Sequence, residues 1–199
     1  MQDFRGARWY KCDLHLHTTA SKCFDDKNVT AVQWVDRAIE QGLDCVAVTD
    51  HNSPLGIKAI QEASQGKNLT VFPGVEITCD TSKIHLLILF DPSKGEEDIK
   101  SFLSKCDIEH NVYGQQEATT TKSVFEVADI ATNKCDALII PAHIDEFAGL
   151  NSLSHQNLEK FYSRNDINAV QVVHKAFNDN EYTNTTISEI VPYLNDYYS

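Results

Sequence analysis

Runs of apolar residues alternate with helical stripes along most of the chain, and each change of period marks a predicted element. Continuous apolar or β-branched runs predict strands at 9–17, 43–51, 69–78, 84–90, 136–142 and 168–173. Apolar positions three and four residues apart predict helices over 30–42, 54–66, 96–106, 121–133 and 152–163, and a weakly helical tail over 186–198. The segment 108–120 has no clear period, so we expect it to be a loop.

Two of the predicted helices carry start signals. Thr30 and Gln33 have the spacing of a capping box, and Gly42 marks the end of that helix. Ser53 followed by Pro54 predicts the start of the second helix, because proline is favoured at the first helical position.

The alternation of strands and helices predicts an α/β fold with a parallel sheet and helices outside it. Strands as apolar as CVAV and ALII are typical of a sheet buried on both faces. The chain shows no internal repeat, low-complexity tract or linker, so residues 1–199 are predicted to form a single domain.

Polar residues of the kind that bind metals gather where the predicted strands end. The carboxyl ends of parallel strands face the ligand site in α/β folds, so these side chains are expected at one rim. His85 lies nearer the start of its strand. The strand-end residues are His15, His17, Asp50, His51, Glu76, His143 and His174.

The stretch DLHLHT has a direct geometric interpretation. Residues two apart in a strand point to the same face, so His15 and His17 are expected on one face and Leu14 and Leu16 on the other. Two imidazoles on one face can bind one metal ion, and the carboxylate of Glu76 can bridge to a second. The alternative is a set of hydrogen-bonded structural histidines.

Structural roles stay open for individual residues of this set. His51 could belong to a turn or helix cap, His85 could be a buried hydrogen-bonded histidine, and His174 is as well explained by either role. We expect His110 and His155 to be solvated.

Composition limits the classes of function. The chain has 17 Lys+Arg and 29 Asp+Glu, a formal charge of −12, which argues against nucleic-acid binding by a basic stripe. Catalysis on a phosphate stays possible because bound cations invert the local charge.

Six scattered cysteines without a CxxC pair predict buried free thiols. The sequence shows no signal peptide and no run of about 20 apolar residues, so we expect a cytoplasmic protein with no membrane partner.

The set DLHLHT, VTDHN, GVEIT, IHLL and PAH resembles the PHP (polymerase and histidinol phosphatase) family of metal-dependent phosphoesterases, over about residues 9–175. The segments RGARWYKCDLHLHT and PAHIDEFAGLNSLS resemble the PHP module that begins TrlF-type proteins. In those proteins an SMC-like or AAA-like ATPase follows, so that resemblance implies that these residues are the N-terminal part of a longer, ATPase-containing chain.

The family resemblance implies a distorted (β/α)7 barrel with two or three metal ions at its C-terminal rim. It assigns His15 and His17 to a first ion, and Glu76 as a bridge to a second ion held by His85 and His143. His51 would bind a third ion, with Asp50 as ligand or orienting group. Asp13 would fix an imidazole tautomer by a hydrogen bond.

Lysines near the predicted rim could contact a substrate phosphate, although a solvated surface role explains each of them better. These are Lys22, Lys83 and Lys175.

Two departures from the family pattern bear on this site. Many members have Ser-Asp-Gly where this chain has Ser21-Lys22-Cys23, so the third-metal carboxylate is missing unless Asp25 or Asp26 replaces it. The family's late Asp-x-His motif has no counterpart after residue 143. We expect neither Cys12 nor Cys23 to be a ligand or a nucleophile.

Mixed imidazole and carboxylate ligands suit Zn, Mn or Fe. With the family resemblance, this implies two or three divalent transition metal ions as cofactors. The predicted function is hydrolysis of phosphoester bonds by metal-activated water, with nucleic acid or nucleotides as substrate. The alternatives are a small-molecule phosphomonoesterase and a degenerate PHP module with a structural or interaction role.

Overall fold

The computed structural model describes residues 9–80 and 82–173. His174, Lys175 and the predicted helical tail lie outside these residues. No helix in the described part of the chain is long and apolar enough to cross a membrane. The strands are β1 (Cys12–Leu16), β2 (Cys45–Val48), β3 (Thr70–Cys79), β4 (Ile84–Leu89) and β5 (Leu138–Pro141). The helices are α1 (Ala31–Glu40), α2 (Ile57–Ser64), α3 (Glu96–Lys105), α4 (Val124–Cys135) and α5 (His155–Tyr162).

The five strands form one mixed sheet in the order β1-β2-β3-β4-β5. β1, β2 and β3 run parallel, whereas β4 pairs antiparallel with both β3 and β5. The prediction of a wholly parallel sheet was therefore wrong at β4. The physical reason is the connection: only residues 80–83 separate β3 from β4, and a parallel pair needs a crossover of a dozen or more residues.

The reversal of β4 decides where its histidine lies. The beginning of β4 lies at the edge of the sheet where the other strands end, because β4 runs against its neighbours. His85 is the second residue of β4, and its register partner is Thr78, near the end of β3. His85 therefore lies at the same rim as the residues that follow the other strands.

A sixth segment lies beside β5 without forming a regular strand. Ile167 makes an isolated parallel bridge to Ile139, and the backbone of Gln171 exchanges hydrogen bonds with Pro141 and Ile144, both of 2.9 Å. The strand predicted at 168–173 is thus replaced by an irregular segment with only local pairing to β5.

Two apolar clusters lie on the two faces of the sheet. The inner cluster contains residues from one face of each strand and from the sixth segment. The sheet curves around this cluster as a half-barrel. Its members are Ala47, Leu87, Leu89, Ile140 and Ala142, with Leu14, Phe72 and Ala169 packed against them. The outer cluster joins the opposite face to the helices and contains Phe102 and Phe161, both fully buried. The α/β class of the prediction is confirmed.

The side chains of β1 do not alternate strictly between the two faces of the sheet. Its register with β2 shifts between Asp13 and Leu16. Leu14 packs against the inner cluster, whereas Leu16 packs against the outer one, so the prediction that these two leucines share a face was wrong. The shift breaks the two-residue period at this point of the strand.

Helix starts follow the predicted caps with one exception. The capping box of Thr30 and Gln33 is present, and Ser123 caps α4 in the same way. The second helix begins at Ile57 instead of at Pro54, because Ser53 and Pro54 form a turn in which Ser53 Oγ accepts a hydrogen bond from the Leu55 N–H (3.3 Å). The helix starts only after this turn.

Candidate metal centre

The rim of the half-barrel is centred on the carboxylate of Glu76, whose side chain is 1% exposed. Glu76 follows Phe72 and Gly74 on one face of β3, so it stands directly above the inner cluster. Its Oε2 atom lies 3.0 Å from His15 Nε2, 3.4 Å from His17 Nε2 and 3.0 Å from His51 Nδ1. Three imidazoles therefore face one carboxylate oxygen.

The second oxygen of the same carboxylate faces two further histidines. Glu76 Oε1 lies 2.8 Å from His85 Nδ1 and 3.2 Å from His143 Nε2, and these two ring nitrogens are 3.2 Å apart. The carboxylate thus divides the five imidazoles into a group of three and a group of two. The hypothesis of unrelated structural histidines does not explain this convergence.

The donor set fits metal ions better than it fits hydrogen bonds. Glu76 Oε2 and His51 Nδ1 are buried and, although they lie 3.0 Å apart, form no hydrogen bond of acceptable geometry. His143 Nδ1 is also buried, without a hydrogen-bond partner among the described residues. Each buried polar atom without a hydrogen bond lowers the stability of a folded protein by about 1–3 kcal/mol, so such atoms are rare in native proteins. Two sets of donors that could hold an ion centre on Glu76: His15 and His17 with Glu76, and His51 and His85 with Glu76.

Charge at the centre favours the metal-binding states of Glu76 and His17. Burial would raise the pKa of Glu76, but the histidine contacts, led by His143 and His15, hold that pKa well below its usual range. Burial lowers the pKa of His17 to about 4. Burial also lowers the pKa of His15, but contact with Glu76 outweighs it and raises the pKa overall. An ionised glutamate and a neutral His17 imidazole are the ligand forms that a divalent cation requires.

The tautomer of His15 is fixed by Gln171, 156 residues away in the chain. His15 Nδ1 lies 2.7 Å from Gln171 Oε1, which also accepts the backbone N–H of His143 at 3.0 Å. Because that backbone N–H identifies the atom as the amide oxygen, His15 Nδ1 must carry the proton. His15 Nε2 is then left with a free lone pair directed at Glu76 and available to a metal ion.

The tautomer of His17 is fixed by Ser21 and Asp50. Ser21 Oγ donates to Asp50 Oδ1 at 2.7 Å and accepts the backbone N–H of His51 at 2.9 Å. Since its single proton goes to Asp50, Ser21 Oγ must accept from His17 Nδ1, which is 3.2 Å away. His17 Nε2 is therefore the free nitrogen.

Asp50 is fully buried and acts on the loop that follows β1. Its carboxylate accepts the Thr18 N–H at 2.7 Å and the Thr18 hydroxyl at 2.6 Å, besides the hydroxyl of Ser21. Burial raises the pKa of Asp50, and the hydrogen bonds from Thr18 and Ser21 partly offset this effect. Gly56 gives room for the arrangement, because a Cβ there would overlap Thr18 and Asp50.

His143 is held in a sparsely populated backbone conformation with φ of +29°. Its carbonyl oxygen lies so close to Gly149 that a Cβ at that position would overlap it. Left-handed backbone at a residue other than glycine costs free energy and clusters at functional sites. The strain places the His143 ring against Glu76 although β5 itself has already ended at Pro141.

The comparisons with known proteins agree with this geometry. A family model described as the PHP domain matches residues 13–198. The chain belongs to the PHP family. The Rnm 5′-3′ exoribonuclease of Salmonella typhimurium is 38% identical over 79 residues, which cover 38% of this chain and 26% of that relative. This PHP domain is therefore aligned with only about a quarter of the length of that curated relative.

Solved structures with the same fold include one described as an endonuclease and one described as a metal-dependent phosphoesterase. A lesion-specific endonuclease from Pyrococcus furiosus has a TM-score of 0.61 at 21% identity and covers 81% of this chain and 41% of that chain. A candidate metal-dependent phosphoesterase from Bifidobacterium adolescentis has a TM-score of 0.59 at 15% identity and covers 94% of this chain and 84% of that chain. At such identities the likeness shows the PHP fold alone.

The structure of this PHP domain brings six of the residues singled out in the sequence into one cluster: His15, His17, His51, Glu76, His85 and His143. Other residues of the predicted site lie elsewhere. Asp50 contacts the loop instead of the cluster, and Asp13 accepts the backbone N–H of His15 at 3.2 Å instead of an imidazole proton. Lys22 and Lys83 are exposed, and His174 is outside the described residues.

Sequence reasoning missed Gln171 and the position of Cys23. Gln171 is the polar residue within the run NAVQVV, a signal that could have marked it as facing the site. Cys23 is exposed, as is Cys12, whereas the sequence suggested buried thiols; Cys79 and Cys106 are buried. The sulfur of Cys23 lies within 4.8 Å of ring nitrogens of His17 and His51.

Proposed function

We propose that this chain is a metal-dependent phosphoesterase that hydrolyses phosphodiester bonds of nucleic acid. The observation that carries the proposal is the single buried carboxylate with imidazoles on both of its oxygens. In a two-metal site the ions are about 3.5–4 Å apart, a separation that one bridging carboxylate can set. Zn, Mn or Fe, two or three ions in all, suit such a mixed nitrogen and oxygen donor set.

The residues have different roles in the proposed reaction. His15 and His17 would hold an ion on the Oε2 side of Glu76, and His85 and His143 would hold one on the Oε1 side. When bound, such ions supply an activated water and neutralise charge that develops on the phosphoryl oxygens. Gln171 and Ser21 keep the free nitrogens of His15 and His17 pointing at the ions.

A cavity of about 770 Å³ adjoins the centre and supports a substrate larger than inorganic phosphate. The described residues that line it include His15, His17, Phe24 and Trp34, whose Nε1 donates to the His17 carbonyl at 2.9 Å. Aromatic rings beside a phosphate-binding centre provide surfaces on which bases stack. The exoribonuclease and endonuclease activities named for the relatives support nucleic acid as the substrate class.

The association with an ATPase in a longer chain and the cytoplasmic location stay predictions. The chain is aligned with about a quarter of its curated relative, and neither the fold nor the site bears on these two points.

The test compares metal content and hydrolysis in purified protein. Bound metals are measured by plasma mass spectrometry, and hydrolysis is followed on a chromogenic phosphodiester, the matching monoester and end-labelled RNA and DNA. Wild type is expected to retain transition metal and to cleave diesters faster than monoesters. His15→Ala and Glu76→Ala should lose both properties, whereas His110→Ala, at an exposed histidine outside the centre, should keep them.

Other outcomes would decide against the proposal. Wild type that retains no transition metal, or variants that hydrolyse as fast as wild type, would exclude metal-assisted hydrolysis at this centre. Faster cleavage of the monoester would assign the centre to small phosphomonoesters. Bound metal without hydrolysis of any substrate would indicate a structural module.

A further inference from the structure

The loop between β1 and α1 places a cysteine beside two histidines of the centre. The sulfur of Cys23 and one ring nitrogen each of His17 and His51 all lie within 4.8 Å of one another. A lone exposed cysteine would carry no inference, but His51 is 4% exposed and its Nδ1, 3.0 Å from Glu76 Oε2, makes no hydrogen bond among the described residues. A buried imidazole nitrogen that faces a carboxylate oxygen without a hydrogen bond is a second, independent sign of a metal ion at that oxygen.

The loop that carries Cys23 is fixed in place by contacts on both sides. Asp50 accepts three hydrogen bonds from Thr18 and Ser21, just before the cysteine. The Lys22 N–H donates to the Gly114 carbonyl at 2.8 Å, and the Gly114 N–H donates to the His51 carbonyl at 2.9 Å. The backbone next to Cys23 is therefore tied to the backbone of His51 through one glycine.

Gly114 is required for this connection. Its φ is +79°, and a Cβ there would overlap the carbonyl oxygen of Ala20. Glycine adopts a left-handed conformation without steric cost and has no Cβ, so it allows the loop backbone to pack against His51.

We propose that Cys23 is a thiolate ligand of the transition metal ion on the Oε2 side of Glu76, the oxygen that His17 and His51 also face. This assignment rests on the proposed metal centre and names an additional ligand for it. The thiolate occupies the part of the loop where the family resemblance led us to look for a carboxylate from Asp25 or Asp26. Asp26 instead accepts two hydrogen bonds from Asn28 in a surface turn.

The ligand set implies a preference among metals. A thiolate beside imidazole ligands is a donor set that suits zinc and its substitute cobalt. Thiolate is a soft ligand, whereas Mn²⁺ and Mg²⁺ prefer oxygen. The exposure of Cys23 would leave this side of the ion accessible from solvent.

The test uses Co²⁺ as the probe. Protein stripped with a chelator and titrated with Co²⁺ should develop the near-ultraviolet charge-transfer absorption of a cobalt–thiolate bond. Cys23→Ser should lose this absorption, and Cys23→Asp should lose it but still bind metal, with its preference moved towards Mn²⁺. Cys12→Ser is the matched control, because Cys12 is also exposed but lies at the start of β1, where its sulfur contacts the Tyr10 carbonyl at 3.8 Å.

Alkylation gives a second readout in the unmodified protein. Loading with Zn²⁺ should slow the reaction of Cys23 with iodoacetamide by about tenfold or more, since a metal-bound thiolate is not free to attack. Peptide mass spectrometry reads Cys23 and Cys12 in the same sample, and the rate at Cys12 should not change. Far-ultraviolet circular dichroism of each variant confirms that the chain is folded.

The outcomes separate this assignment from the proposed function. Equal alkylation of Cys23 with and without zinc, or an absorption that persists in Cys23→Ser, would overturn the thiolate ligand even where Glu76-dependent metal binding and hydrolysis are intact. Failure of wild type to bind any metal would overturn both.

Discussion

Gln171 offers the sharpest test of how the centre is organised, because it touches no proposed metal ion and yet supports two ligands. Its amide oxygen accepts from His15 Nδ1 at 2.7 Å and from the backbone N–H of His143 at 3.0 Å. Gln171→Met keeps the length of the side chain and removes the oxygen that accepts both hydrogen bonds. We expect the variant to be less stable and to bind zinc more weakly than wild type.

The magnitude follows from the two lost contacts. The backbone N–H of His143 loses its acceptor, which costs about 1–3 kcal/mol of the free energy of unfolding. His15 loses the partner that fixes its tautomer, and the loss of such a partner weakens metal binding by roughly 10–100-fold. That factor corresponds to about 1.4–2.7 kcal/mol of binding free energy.

Two measurements check these values. Urea denaturation of the metal-free protein gives the loss of stability, and competition with a zinc-binding dye gives the loss of affinity. Gln171→Glu is the control that keeps an acceptor oxygen at the same reach, and it should bind zinc at least as tightly as wild type. Gln65→Met controls for the substitution itself at an exposed position. Wild-type zinc affinity in Gln171→Met, or equal losses in Gln171→Met and Gln171→Glu, would refute the tautomer argument.

Three further variants test contacts that stabilise the fold and position the metal centre. Asn52→Ala removes hydrogen bonds to the carbonyls of Gln115 (3.0 Å) and Ala118 (2.7 Å); it should lower the free energy of unfolding by roughly 2–4 kcal/mol in urea denaturation, and an unchanged value would contradict the role of this buried amide. Gly149→Ala introduces a Cβ that overlaps the His143 carbonyl; dye competition should show weaker zinc binding, and wild-type affinity would show that the backbone at His143 can relax. Phe102→Ala empties a fully buried site in the outer cluster; it should cost roughly 3–5 kcal/mol of stability, without altering the metal content per folded protein.

The metal-binding set was visible in the sequence because it depends on short-range patterns. A residue that directly follows an apolar run is placed at a strand end whatever the rest of the chain does, and strand ends share a rim. His15, His17, His51, Glu76 and His143 could therefore be grouped from the sequence alone. The four histidines meet at the carboxylate of Glu76 in the structure, whereas Asp50, which the sequence grouped with them, contacts Thr18 and Ser21.

The direction of β4 was not visible in the same way. An apolar run such as IHLLILF is buried on both faces, so its pattern is the same in either direction. The signal that decides the direction is the length of the connection from β3, which is too short for a parallel crossover. That reversal also explains why a histidine at the start of a strand belongs to the rim.

Residues that position the ligands could not be assigned from the sequence because their roles depend on long-range contacts. Gln171 acts on His15 across 156 positions, and Asp50 acts on Thr18 across 32. The family resemblance suggested that Asp13 fixes the tautomer of an imidazole. In the structure, Asp13 lies where the register of β1 shifts, and it accepts the backbone N–H of His15 instead. A pattern of residue types identifies ligands more readily than the groups that orient them.

The charge of the chain constrains how a nucleic acid would reach the proposed centre. With a formal charge of −12, the protein as a whole repels a polyanion. Within the described residues, the centre itself combines five imidazoles with one carboxylate, and bound divalent ions would make it positive. Attraction for a phosphate would then arise at the ions and stacking at Phe24 and Trp34, not along a basic groove. Metal occupancy would in this way control substrate binding as well as hydrolysis.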